Sequence, residues 1–194
     1  QGPGGCGEVF LEELRRGVSL GQTGGKPAAA RRGLTCHRLE APMTPRRQLD
    51  SFVDKYTPRV ASLARAAFAW MRKRFPGATV LVYDNYNALA IGFGSSEKAS
   101  EAVFSIALYP RWVSLFFLRG AALPDPRRRL IGSGKQVRHI VLDRIEVLEE
   151  PAVLALIEAA AARSALPSVA AASGKIVIKS ISPRQRPRRP ASSL

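Results

Sequence analysis

Residues 101–119, EAVFSIALYPRWVSLFFLR, constrain the fold more than any other stretch. Phe104, Ile106 and Leu108 alternate with Val103, Ser105 and Ala107. After Tyr109-Pro110, Val113, Leu115 and Phe117 alternate with Trp112, Ser114 and Phe116. A period of two in β-branched and aromatic side chains marks strands. Apolar groups on both faces predict a hairpin in mid-sheet, covered by helices on at least one side. The stretch specifies a scaffold and no reaction.

The segments around it supply the other elements. Thr44-Pro45 and Thr57-Pro58 each read as a helix cap followed by a first-turn proline. Leu49, Phe52 and Val53 give the first helix a short apolar face. Val60, Leu63, Ala64, Ala67, Phe68 and Met71 recur at spacings of three and four and give the second its core stripe. Arg72, Lys73 and Arg74 suit the C-terminal end of its dipole, and Pro76-Gly77 stops it. Residues 79–83 and 88–93 read as strands around the turn Asp84-Asn85-Tyr86-Asn87. Residues 120–135 form a long punctuated loop, and residues 136–142 return to alternation as a fifth strand. Glu150-Pro151 opens a last helix with Val153, Leu154, Leu156, Ile157, Ala160 and Ala161 as its stripe. The expected architecture is therefore α+β: a two-layer fold with a mainly antiparallel five-stranded sheet packed by helices, in the order α-α-β-β-β-β-β-α.

The ends differ from this domain. Residues 1–42 hold nine of the 16 glycines and sustain no apolar period beyond one helical turn's worth near Val9 to Leu14. Such a composition cannot offset chain entropy, and residues 1–42 are expected to be a disordered leader. It lacks the basic start, apolar block and cleavage site of a signal peptide. The first methionine is Met43, where patterning begins, so Met43 is the expected natural start and 43–164 the domain. Residues 165–194 read as a Ser/Ala/Pro linker and a basic, proline-rich tail with no core to join, although Ile176, Ile178 and Ile181 are compatible with a short strand. Both cysteines, Cys6 and Cys36, fall in the leader; a disulfide framework is not expected, and a reducing cytoplasm fits. No run of about 18 apolar residues predicts a membrane span.

Charge is the strongest functional signal. The formal net charge is +15, divided as +2 over residues 1–42, +7 over 43–174 and +6 over 175–194. Such a field attracts anions: nucleic acid, phosphorylated metabolites, acidic proteins or anionic lipid. Arginine on a solvated surface produces the same balance with no partner. Arg184, Arg186, Arg188 and Arg189 make the tail a nonspecific nucleic-acid candidate through phosphate neutralisation.

Local motifs narrow the field mostly by exclusion. Residues 132–135, GSGK, lack a P-loop's first glycine, which would fall at Arg129, and the hydroxyl residue after Lys135. They lead into a strand, so no helix N-terminus faces a phosphate. A weaker anion nest of glycine amides beside Lys135 and Arg138 is the alternative to an ordinary turn. Gly92-Phe93-Gly94 lacks the third glycine and the βαβ setting of a dinucleotide site. His139 stands alone on its strand and the carboxylates are scattered, so no transition-metal spacing emerges. Ser105 or Ser114 with His139 lacks an elbow motif.

The runs VYDNYNALAIGF and AVFSIALYPRWVSLFFLRGAALPDPRRRLIGSGKQVRHI resemble the bacterial YdhG-like family, a domain of unknown function. The resemblance spans about residues 44–164, and FLRGAALPDP and GSGK followed by Arg138 carry it most specifically. It implies a compact α+β fold with helices against an antiparallel sheet, similar in outline to frataxin. One branch of the family is described as a frataxin-like iron chaperone, a role that leans on a carboxylate-rich ridge. This chain departs from that pattern: its first helices carry Asp50 and Asp54 among more numerous arginines, and iron would meet net repulsion.

The leading expectation is a non-enzymatic cytoplasmic module for an anionic small molecule or acidic partner. Arg111, Arg119, Lys135 and Arg138 would supply charge, and Asp84 and Asn85 would orient a polar ligand. The rivals are an iron-binding protein, a nucleic-acid-associated protein acting through the tail, and an enzyme with a pocket around Asp84, Tyr86 or His139.

Overall fold

Local signals place the helices where the sequence puts them. In the computed structural model, which describes residues 43–164, 166 and 174–190, Thr44 caps α1 (Pro45–Val53) by accepting from Arg47 N at 3.3 Å. Thr57 accepts from Val60 N at 3.5 Å to start α2 (Pro58–Arg74). Each helix begins with proline, whose missing N–H is an unpaired group at that position anyway. α1 buries Leu49, Phe52 and Val53, and α2 buries Val60, Ala61, Ala64, Ala67, Phe68 and Met71. Arg72, Lys73 and Arg74 fill α2's last turn. The third helix, α3 (Pro151–Ala162), also starts on proline and buries Val153, Leu156, Ile157 and Ala160.

The strands are β1 (Thr79–Asp84), β2 (Leu89–Gly94), β3 (Ala102–Leu108), β4 (Val113–Phe117), β5 (Arg138–Leu142) and β6 (Ile176–Ile181). Their order across the sheet is β5-β4-β3-β2-β1-β6, antiparallel except for the parallel β1/β6 pair. The β3/β4 hairpin lies inside the sheet, paired on both sides, as its two apolar faces require. The expected five strands are corrected to six. β6 docks on β1 with Ile176 opposite Val80 and Ile178 opposite Val82, which gives those isoleucines a core to join.

α1, α2 and α3 share one apolar cluster with the sheet's inner face: Val80, Val82, Ile91, Phe93, Phe104, Ile106, Leu115 and Phe117 among others. Phe75 stacks on Phe104 at 5.4 Å and Phe104 meets Phe117 edge-on at 5.6 Å, which ties the end of α2 to the central hairpin. Leu81, Tyr83, Ala90, Ala107, Phe116 and Val137 form a second buried cluster on the outer face.

Among the described residues no helix is long and apolar enough to cross a membrane. The expectations about residues 1–42, including the leader and Met43 as the start, lie outside the described residues.

Candidate functional site

The sheet has two ends, and they divide the six residues expected to bind a ligand. Asp84 closes β1, Asn85 follows it, and Arg111 sits in the β3–β4 turn, all at the end marked by Leu89, Leu108 and Val113. Arg119 follows β4, while Lys135 and Arg138 precede and open β5, at the end marked by Gly94, Ala102 and Phe117. No single hollow holds all six.

At the first end, Asp84 and Asn85 serve the fold. Asp84 is fully buried and holds two cations, Lys55 Nζ at 2.7 Å and Arg188 Nη2 at 2.8 Å. The Asn85 carbonyl also accepts from Arg188 Nη2, and Asn85 N donates to Ala88 O across the turn at 3.0 Å. The Arg188 guanidinium lies 5.6 Å from the centroid of Tyr56. Tyr56 donates to Leu108 O and accepts from Leu89 N, and burial pushes its phenol above the ordinary tyrosine value. A ligand-orienting role for Asp84 and Asn85 is therefore replaced by a clasp on the chain's own C-terminal segment.

The same contacts correct the picture of a free basic tail. Arg188 is only 5% exposed. Arg189 donates from Nε to Tyr56 O and from Nη2 to Asp54 O, both at 3.2 Å. Arg186 N donates to Tyr86 O, and Ser182 N to Asp84 O. Of the four tail arginines, Arg184 alone has a side chain with neither a hydrogen bond nor an ion pair among the described residues, since Arg186 Nη1 donates to Asn87 Oδ1 at 3.5 Å. The buried Asp84 carboxylate, shared between Lys55 and Arg188, ties this polar segment to the domain.

At the second end, Arg138 Nη1 donates to Gly134 O and Val137 O, so the guanidinium staples its own glycine loop. Gly132 takes φ +124°, a conformation that side-chain-bearing residues rarely adopt. Lys135 and Arg111 are exposed.

Arg119, also exposed, lines a cleft of ≈ 350 Å³. Phe117, Val103 and Leu123 give it an apolar floor, Ser95 and Glu101 lie toward β2 and β3, and Arg163 and Ser164 come from the end of α3. Ser95 Oγ donates to Glu101 at 3.1 Å, and Lys98 Nζ stands 3.5 Å from its other oxygen. Hydrogen bonds from Ser96 and Ser95, with Lys98 nearby, hold the Glu101 carboxyl below the usual range, so it is ionised at neutral pH. Neither the Arg119 nor the Arg163 guanidinium has a hydrogen-bond or ion-pair partner among the described residues. Arg163 escapes a reading of the sequence because it stands where the α3 stripe gives way to small residues. Its position as the α3 C-cap is the available signal.

Among the described residues no group of three His, Cys, Asp or Glu is placed to hold a metal ion. Ser105, Ser114 and His139 are buried on the sheet, with His139 stacked on Phe116 at 5.0 Å. Comparison of the chain with protein-family models, with curated proteins and with solved structures finds no match.

Proposed function

We propose that this protein binds a small molecule bearing an anionic group in the cleft between the start of β3, the end of β4 and the end of α3, without transforming it. The observation that carries the reading is the pair of unpartnered guanidiniums, Arg119 and Arg163, lining one hollow over an apolar floor. Guanidinium is weakly hydrated and presents a fixed fork that fits carboxylate or phosphate. Both arginines are exposed in the free protein, and a ligand seated over Phe117 and Leu123 would itself exclude water from such a bond and strengthen it. A cleft of ≈ 350 Å³ stands at the small end of the ligand-pocket range, about 300–1,000 Å³. That size favours a small metabolite over a polymer.

Thermal-shift and calorimetric titrations with 4-methylpentanoate and 3-methylbutyl phosphate test this. A binder of the folded state raises the melting temperature. Arg119→Ala is expected to remove the shift and Arg163→Ala to reduce it, while Arg111→Ala, at the opposite end of the sheet, leaves it intact. Absence of binding by both probes, or binding indifferent to Arg119 and Arg163, overturns the reading.

A further inference from the structure

Glu101 and Arg119 leave adjacent strands at one end of the sheet. β3 and β4 pair with Phe104 opposite Phe117, and the ladder runs one step further as Leu118 N donates to Val103 O at 3.0 Å. Glu101 immediately precedes β3 and Arg119 closely follows β4, so both emerge beside each other and line the same cleft. The β3/β4 register, continued outward, sets Arg119 across from Ala102, diagonal to Glu101. These two do not form an ion pair: Glu101 is held by Ser95 and approached by Lys98, and Arg119 has no partner among the described residues.

We infer that the cleft recognises a zwitterion, a free α-amino acid with an apolar side chain, whose carboxylate meets Arg119 and whose ammonium meets Glu101. The inference rests on the binding function proposed above and narrows its ligand. Serine hydrogen bonds occupy Glu101 only in part, since a carboxylate accepts about four. The Lys98 side chain is 76% exposed and lies 3.5 Å away, a solvated contact that an ammonium in the cleft displaces at little cost. α3 adds to the cationic subsite. Its C-terminal turn, with Ala160 and Ser164 on the cleft wall, carries the negative end of the helix dipole. The same dipole offsets part of the Arg163 charge and leaves Arg119 as the principal anion ligand. Phe117, Val103 and Leu123 receive the side chain.

Three near-isosteric probes separate the charges: leucine carries both, 4-methylpentanoate only the anion, and 3-methylbutylamine only the cation. Calorimetry on the full chain is expected to rank leucine at least tenfold tighter than 4-methylpentanoate, with 3-methylbutylamine weakest. Glu101→Gln should bring leucine down to the affinity of 4-methylpentanoate and leave 4-methylpentanoate unchanged or improved. Circular dichroism and the melting temperature of the variant establish that it is folded. Arg119→Ala should abolish binding of both carboxylates. If 4-methylpentanoate binds as tightly as leucine and Glu101→Gln alters neither, the zwitterion inference is overturned while the anion-binding function stands. If no carboxylate binds, the zwitterion inference falls, and if 3-methylbutyl phosphate also fails to bind, the anion-binding function falls with it.

Discussion

Replacing Asp84 by alanine is expected to cost more than replacing Arg188, although the two form one ion pair. Their side chains are 1% and 4% exposed, and Asp84 Oδ1 lies 2.8 Å from Arg188 Nη2. Breaking a buried pair by removing one member costs about 3–5 kcal/mol when the other charge is left uncompensated. The two substitutions differ in what they leave behind. Arg188→Ala leaves Asp84 held by Lys55 at 2.7 Å, so the loss approaches that of one charged hydrogen bond, about 1.5–3 kcal/mol. Asp84→Ala strands a buried guanidinium whose Nε and Nη1 lack partners among the described residues, leaving it the Asn85 carbonyl and the Tyr56 ring. Its cost is therefore expected in the upper range, about 3–5 kcal/mol, unless the C-terminal segment detaches and lets the arginine reach water. Urea unfolding measures the total, and amide exchange at Ser182 and Arg186 reports detachment, because those N–H groups donate to Asp84 O and Tyr86 O. Losses below about 0.5 kcal/mol in both variants would refute the clasp, since that is the scale of a substitution away from any buried feature. So would a small loss in Asp84→Ala with exchange unchanged at both amides, since the stranded arginine must either stay buried at a cost or detach.

Two further outcomes follow from single side chains. His139 is 2% exposed, and burial lowers its imidazole below the ordinary 6.5, so the unfolded chain binds a proton in acid that the folded chain resists. Stability is then complete above pH 6.5 and falls as pH drops below it, by at most about 1.4 kcal/mol per pH unit. His139→Phe should flatten that limb in urea titrations at several pH values, and an unchanged slope would contradict it. Gly120→Ala would put a Cβ 2.6 Å from Arg138 Cβ and 3.0 Å from Arg138 N. It is expected to destabilise by about 1–3 kcal/mol in denaturant melts, and a neutral result would show that the turn after β4 yields readily.

Both hairpins, the three helix starts and the core stripes were legible because each is written locally, in a period, a cap or a turn residue. Leu63 and Leu154 show the limit: each belongs to its helical stripe but stays half-buried at the edge of the core. β6 was less legible because its partner is remote in sequence. Its isoleucines follow a Ser/Ala/Pro stretch that reads as a linker, and nothing nearby announces parallel pairing with β1. The burial of Arg188 was illegible for the same reason at larger scale. SPRQRPRRP has the composition of a solvated tail, and its acceptor, Asp84, is 104 residues away. The one local clue was an aspartate at the end of an otherwise apolar strand, a charge that burial would oblige to find a cation.

A net charge of +15 treats every lysine and arginine as one pool, yet the fold sorts them by what lies nearby. Asp84 takes Lys55 and Arg188, Glu150 takes Arg129 and Arg144, and Glu158 takes Arg74. Arg138 spends its donors on carbonyls of its own loop. Exposed Arg111 and Lys135 stand in water, where hydration and salt leave them little grip on a ligand. Arg119 and Arg163 are exposed as well, but they share one cleft with Phe117 and Leu123 while holding no acid among the described residues. The proposed binding rests on that coincidence of shape and unspent charge, while the basic residues elsewhere add a diffuse field.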